Sequence, residues 1–177
     1  LDGGAQRYDE EMKSITESSH IAIVARDYAE KYTGTTNLEE ACHIIHDRGA
    51  LIAGVTDGAN GSYFVWPDGT FYRCQAFPQE YVVDTTGAGD SFHGAFLSKL
   101  VTLLRELAPV EGLKTSTYAI DLLQHCGHSD LEKTAIFASA VAALNTQGIG
   151  GRSALPSLHV VNCLLYTSPS PRDVEES

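Results

Sequence analysis

The stretch Tyr81-Val82-Val83-Asp84-Thr85-Thr86-Gly87-Ala88-Gly89-Asp90-Ser91-Phe92-His93-Gly94-Ala95-Phe96 organises the whole chain. Residues 81–83 are aromatic and β-branched, as a short strand would be, and they lead into a glycine-rich turn. Beyond Asp90, the residues Phe92, Phe96, Leu100, Leu103, Leu104 and Leu107 recur at helical spacing, so the turn opens a long helix. Gly87, Ala88 and Gly89 are small enough for backbone N–H groups to face a concavity, and the helix start adds the positive end of its dipole. Such a turn is an anion hole. Asp90 stands at the same helix start, where a carboxylate beside a bound phosphoryl group can take the proton of an attacking hydroxyl.

Upstream, residues 20–25 are an Ile- and Val-containing run suited to a buried strand, and residues 26–32 read as a helix stopped by Gly34. Asn37 with Glu40 forms a capping pair for a helix through His46 that Gly49 ends, and residues 50–55 read as a second buried strand. Residues 62–66 and 71–76 flank Pro67-Asp68-Gly69, which predicts a hairpin. Downstream, residues 118–125 can add a helical turn or two, and residues 131–145 read as a helix of alanine and other small residues, suited to close packing on a sheet or beside a ligand. Strand, helix, strand, hairpin in this order predicts an α/β fold. From Leu164 the chain turns polar and rich in Pro and Ser, and resembles translated sequencing-adaptor sequence. Residues 163–177 are therefore expected to be a disordered, non-native tail.

Twelve Lys and Arg against 23 Asp and Glu leave a formal charge of −11 in 177 residues, which repels nucleic acid and anionic membrane surfaces. ATP is not excluded, because a few backbone N–H groups and a metal ion decide that contact locally. Cys42, Cys74, Cys126 and Cys163 form no Cys-x-x-Cys pair, and read as reduced thiols of a cytoplasmic protein. No apolar run approaches the ~20 residues that span a bilayer. His43 with His46, and His125 with Cys126 and His128, lack further ligands at metal-site spacing, and His93 reads as pocket wall. No P-loop motif is present.

The twelve residues Asp84 to Ala95 resemble the C-terminal signature of the ribokinase-like, or PfkB, carbohydrate kinases, Asp-Thr-Thr-Gly-Ala-Gly-Asp-x-Phe-x-Gly-Ala, at every specified position. The resemblance implies a three-layer α/β/α sandwich of which residues 1–162 are the C-terminal, nucleotide-binding and catalytic part. It assigns Asp90 as catalytic base and Gly87, Ala88 and Gly89 as the anion hole. Val55-Thr56-Asp57-Gly58-Ala59-Asn60-Gly61-Ser62 resembles the family segment that lies along the nucleotide, with Thr56 and Gly58 as contacts. Phe137-Ala138-Ser139-Ala140-Val141-Ala142-Ala143 resembles the small-residue helix beside the adenine and places Ser139 at the contacting position. The loop from Asn145 to Pro156 resembles one that lends oxygens to a monovalent cation, implying Asp84, Thr86, Asn145, Gly148 and Gly150 as ligands.

Two departures accompany these matches. Ala154 stands where ribokinase itself has a serine hydroxyl, and Ala25 and Tyr28 occupy the Asn and Glu positions that help to place Mg²⁺ in many members, with Arg26 and Asp27 beside them. The opening segment, Leu1-Asp2-Gly3-Gly4-Ala5-Gln6-Arg7, resembles a mid-chain segment of the family, so most of the sugar-binding half is expected to be missing and the fragment to be inactive alone. The implied activity is ATP-dependent phosphorylation of a sugar hydroxyl, with ATP and Mg²⁺ as cofactors and K⁺ as a candidate. The alternative is a non-catalytic nucleotide- or sugar-sensing descendant of the fold. Oligomeric state stays open, a homodimer of the full-length protein included.

Overall fold

The structure, a computed structural model, describes residues 2–3, 8–108, 116–151 and 153–167. Strand β1 (Asp2–Gly3), helix α1 (Glu10–Ser18), strand β2 (Ile21–Ala25) and helices α2 (Arg26–Thr33) and α3 (Leu38–Asp47) lead to strand β3 (Ile52–Thr56). After a 3₁₀ turn at Gly58–Asn60 come β4 (Ser62–Val65) and β5 (Phe71–Cys74), then helices α4 (Ala88–Leu107), α5 (Ser116–Gln124), α6 (His128–Asn145) and α7 (Leu158–Thr167). The sheet has the order β1-β2-β3-β4-β5, with β1, β2 and β3 parallel and the β4–β5 hairpin added antiparallel.

The sheet is covered on both sides, which is why β2 and β3 are apolar throughout rather than alternating with polar residues. Ala22, Val24, Ala53 and Val55 face a cluster with Met12, Tyr28, Ala29, Ala41 and Ile45 from α1, α2 and α3. Ile23, Ile52, Phe64 and Trp66 face the opposite cluster, with Phe92, Phe96 and Leu100 of α4 and Leu131, Ala135 and Ala138 of α6. Three layers follow, with the long α4–α6 pair on one face and the shorter helices on the other.

Local signals account for most element boundaries. Asn37 accepts hydrogen bonds from the N–H groups of Glu39 (3.0 Å) and Glu40 (3.2 Å), capping α3, and Gly34 ends α2 in the left-handed region. Gly54 has a packing role: a Cβ there would stand 2.7 Å from Phe64 Cε1, so only glycine lets that ring lie across β3. Phe64 stacks on Trp66 (4.9 Å between centroids) and on Phe96 of α4 (5.6 Å). This aromatic stack seats the N-terminal half of α4 on the sheet, each buried ring contributing about 1.5–3 kcal/mol.

Three expectations are corrected. Residues 81–83 do not form a strand: the N–H groups of Val83 and Asp84 both donate to the Thr146 carbonyl (2.8 and 3.2 Å), and Tyr81 is 70% exposed. Strand-like composition is overridden because the segment runs past the end of α6 rather than beside a sheet edge. Second, α1 was not anticipated; Asp9 caps it by accepting from the Met12 N–H (2.8 Å), while Met12 and Thr16 form its buried face. Third, residues 163–167 are not disordered, because α7 continues to Thr167 with Val161 buried and Leu164 and Leu165 half-buried against the core. Their i, i+3, i+4 spacing is an apolar stripe that Pro and Ser further on concealed. The rest of the expected tail, residues 168–177, lies outside the described residues. No helix among the described residues is long and apolar enough to cross a membrane.

Candidate active site

At one end of the sheet a cavity of about 440 Å³ opens between the β3–β4 turn, the 75–87 connection, the start of α4 and the C-terminal half of α6. Thr56, Gly58, Gly61, Phe77, Pro78, Val82, Ala88, Gly89, Ser139 and Ala142 are among its walls. The volume is that of a small-molecule site. Five residues singled out in the sequence, Thr56, Gly58, Ala88, Gly89 and Ser139, thus meet around one space although up to 83 positions separate them.

The N-terminus of α4 forms the polar end. Gly87 is its N-cap in the left-handed region (φ 76°), and a Cβ there would come 2.5 Å from the Gly151 Cα, so glycine is needed for both conformation and contact. Ala88 donates to the Thr85 carbonyl (3.1 Å) and Ser91 to that of Gly87 (2.9 Å). The N–H groups of Gly89 and Asp90 have no acceptor among the described residues, and no side chain caps the helix. A Cβ on Gly89 would meet nothing within 4 Å, so that glycine leaves open space in front of the two free donors. Asp90 is exposed and its carboxylate is bonded to no described residue.

Other walls are tied down. Ser139 donates its hydroxyl proton to the Gln75 carbonyl (3.3 Å), joining α6 to the 75–87 connection, and Gln147 donates to the Gln79 side-chain oxygen (2.6 Å) across the same gap. Thr56 donates to the Val24 carbonyl at 3.4 Å. The 57–61 turn is held by the Asp57 N–H to the Gly61 carbonyl (2.8 Å) and by Asp57 Oδ2, which receives Arg26 and Asn60 at 3.1 Å each. Arg26 also donates to Glu30 at 2.7 Å. Tyr28 is buried with its hydroxyl 2.7 Å from that of Thr16, and burial pushes its pKa up. Neither Tyr28 nor Arg26 is therefore available to place a metal ion, and Asp27 is the remaining acid on that turn.

The five cation-ligand candidates divide. Asp84 accepts from the N–H groups of Thr86 (2.8 Å) and Gly150 (2.8 Å), tying the turn before α4 to the loop after α6. Hydrogen bonds from Thr86, and then from Gly150, hold its carboxyl below the usual carboxylate range. Asn145 is fully buried; its Nδ2 donates to the Gly151 carbonyl (3.3 Å), while its Oδ1 has no partner among the described residues. Gly148 packs under Ala154, whose Cβ is 2.7 Å from where a Cβ on Gly148 would stand. His93, expected as pocket wall, is not among the lining residues. The Gln79–Gln147 contact was not anticipated, because nothing in either residue's neighbourhood in the sequence points to the other.

A helix start with two N–H groups that meet no acceptor among the described residues stands at the edge of an open, largely apolar cavity, an arrangement that suits an anion. The chain belongs to the pfkB family of carbohydrate kinases, whose model matches residues 3–158. Members of that family are phosphotransferases acting on sugars. Among curated relatives, it is 35% identical to the 5-dehydro-2-deoxygluconokinase of Bacillus subtilis over 91 residues, 50% of this chain and 27% of that protein. It is 38% identical to the cytidine kinase of Thermococcus kodakarensis over 89 residues, 49% of this chain and 31% of that protein. The fold is ribokinase-like: the ribokinase of Giardia lamblia superimposes with a TM-score of 0.71 at 20% identity, over 89% of this chain and 47% of that one. The ribokinase of Arabidopsis thaliana, solved with ribose and ATP, gives 0.64 at 24% identity over 88% and 44%. The chain thus spans about a third or less of these curated relatives and under half of these solved structures.

Proposed function

We propose that the chain is the nucleotide-binding and catalytic part of an ATP-dependent sugar kinase. The observation that carries this reading is the pair of N–H groups at Gly89 and Asp90 that meet no acceptor among the described residues: Gly89 lines the cavity, and Asp90, the next residue and exposed, is not itself among the lining residues. ATP lies with its base between the 75–87 connection and α6 and its phosphates toward α4. The sugar hydroxyl loses its proton to Asp90 as its oxygen bonds the γ-phosphorus, and the bond from that phosphorus to the ADP oxygen breaks. The Gly89 and Asp90 amides hold the negative charge that develops on the phosphoryl oxygens.

The Asp84 carboxylate and the carbonyl oxygens of Thr86, Asn145, Gly148 and Gly150 would be a hard-oxygen set suited to K⁺ beside this hole. Such an ion supplies positive charge next to the transferred group. Mg²⁺ accompanies ATP, and Asp84 and Asp90 are the acids beside the turn that opens α4, Asp57 of the facing turn being taken up by Arg26 and Asn60. The free thiols support a reducing, cytoplasmic setting. The 177-residue chain by itself is expected to bind nucleotide and to phosphorylate no sugar.

The test is Asp90→Asn in the full-length protein, assayed for sugar-dependent ADP release at saturating ATP and sugar. The rate is expected to fall by ~10²–10⁴, with nucleotide affinity little changed. A rate within a few-fold of the parent would remove Asp90 as base. The sensor reading draws on one observation, the removal of Tyr28 and Arg26 from metal placement. It gains if the full-length parent binds both ligands and turns over neither.

A further inference from the structure

His93 sits one turn past Gly89 on α4 and is half-buried. Its ring lies between two carbonyl oxygens, with Nδ1 2.7 Å from that of Gly89 and Nε2 3.0 Å from that of Ile23 on β2; it donates to both at once only when both ring nitrogens carry a proton. Phe92, packed edge to face at 6.1 Å, limits its rotation. We propose that His93 is a positioning residue that aims the phosphate-facing amide of Asp90 by fixing the peptide group that contains it.

The argument rests on the planarity of that peptide. The Gly89 carbonyl and the Asp90 N–H belong to one trans unit and point in opposite directions, so a bond that fixes the carbonyl also fixes the direction of the N–H. The turn needs such an anchor, since Gly87 and Gly89 are the residues least able to hold a backbone direction and no side chain caps the helix. The aromatic stack beneath α4 is apolar and without direction, so it sets the height of the helix but not the orientation of its first peptides. The bond to Ile23 supplies the fixed end, in a strand buried on both faces.

The proposal rests on the reading that these amides receive a phosphate, and the experiment separates the two. His93→Phe keeps a ring but removes both bonds, His93→Gln keeps one donor, and His93→Ala replaces the phenylalanine variant should that one not fold. ATP, ADP and adenosine are titrated against the 177-residue chain and each variant, and amide exchange is followed in the first turn of α4. His93→Phe is expected to weaken ATP and ADP by about tenfold and adenosine by less than about twofold, with His93→Gln recovering to within about threefold of the parent. Exchange at residues 89–91 is expected to quicken in His93→Phe before any ligand is added. Equal weakening of ATP and adenosine would reduce His93 to a packing residue, and unchanged affinities with unchanged exchange would overturn the proposal. A parent that binds ATP no better than adenosine would count against the phosphate site itself; the exchange comparison then decides alone for or against the positioning role of His93.

Discussion

Two glycine turns face each other across the cavity, and they are finished differently. In the 57–61 turn the polar groups close on the protein itself: Asp57 takes Arg26 and Asn60 on one carboxylate oxygen, and its N–H takes the Gly61 carbonyl. In the turn that opens α4, two N–H groups and one carboxylate have no partner among the described residues. Leaving such groups unpaired costs free energy unless solvent or a ligand completes them. The first turn is wall; the second is the one that, on the proposed function, receives a ligand's charge.

The difference can be broken most severely at Gly89. A valine there places a side chain in the open space before the free amides, so the affinity for ATP is expected to fall on the order of a hundredfold, the worth of two hydrogen bonds to a charged group, while adenosine binding holds. Calorimetric titration of both ligands reads this directly, and equal losses would mean that the turn merely shapes the wall.

The same logic predicts a small effect on the other side. Arg26→Met removes the clamp on Asp57, but the pair is partly exposed and screened, so nucleotide affinity is expected to change by about threefold or less. A larger loss would show that the 57–61 turn contacts phosphate through Arg26, and the contrast between the two turns would fail.

The subtlest test concerns the Asp84 link between the two loops behind α4. Its folded pKa is lowered, so the stabilisation is present above the ordinary carboxylate value and is lost as pH falls through the lowered one. The protection of the Gly150 amide, measured against its intrinsic exchange rate at each pH, is expected to fall on acidification across that range. The pH dependence should vanish in Asp84→Asn, and its persistence would place the link elsewhere.

Much of the fold was legible before any coordinates because its signals are local. The helix from Gly87, the Asn37 cap and the β4–β5 hairpin each follow from residues within a few positions of one another. The burial of β2 and β3 on both faces followed from their unbroken apolar runs. Composition misled at residues 81–83 and in α7, where the neighbour that decides the outcome is the end of α6 or its flank.

The sequence by itself determined the local frame of the site: which residues open the helix and which carboxylate follows them. Only the tertiary structure decided what every other polar group does. Ser139 reaches back 64 positions to Gln75, Gln147 reaches 68 to Gln79, and His93 reaches 70 to Ile23. Backbone sterics and helical spacing act within a few residues and can be read in order. The partner of a hydroxyl, an amide or a ring nitrogen is chosen by how a whole sheet and its helices pack, which no short stretch of sequence contains.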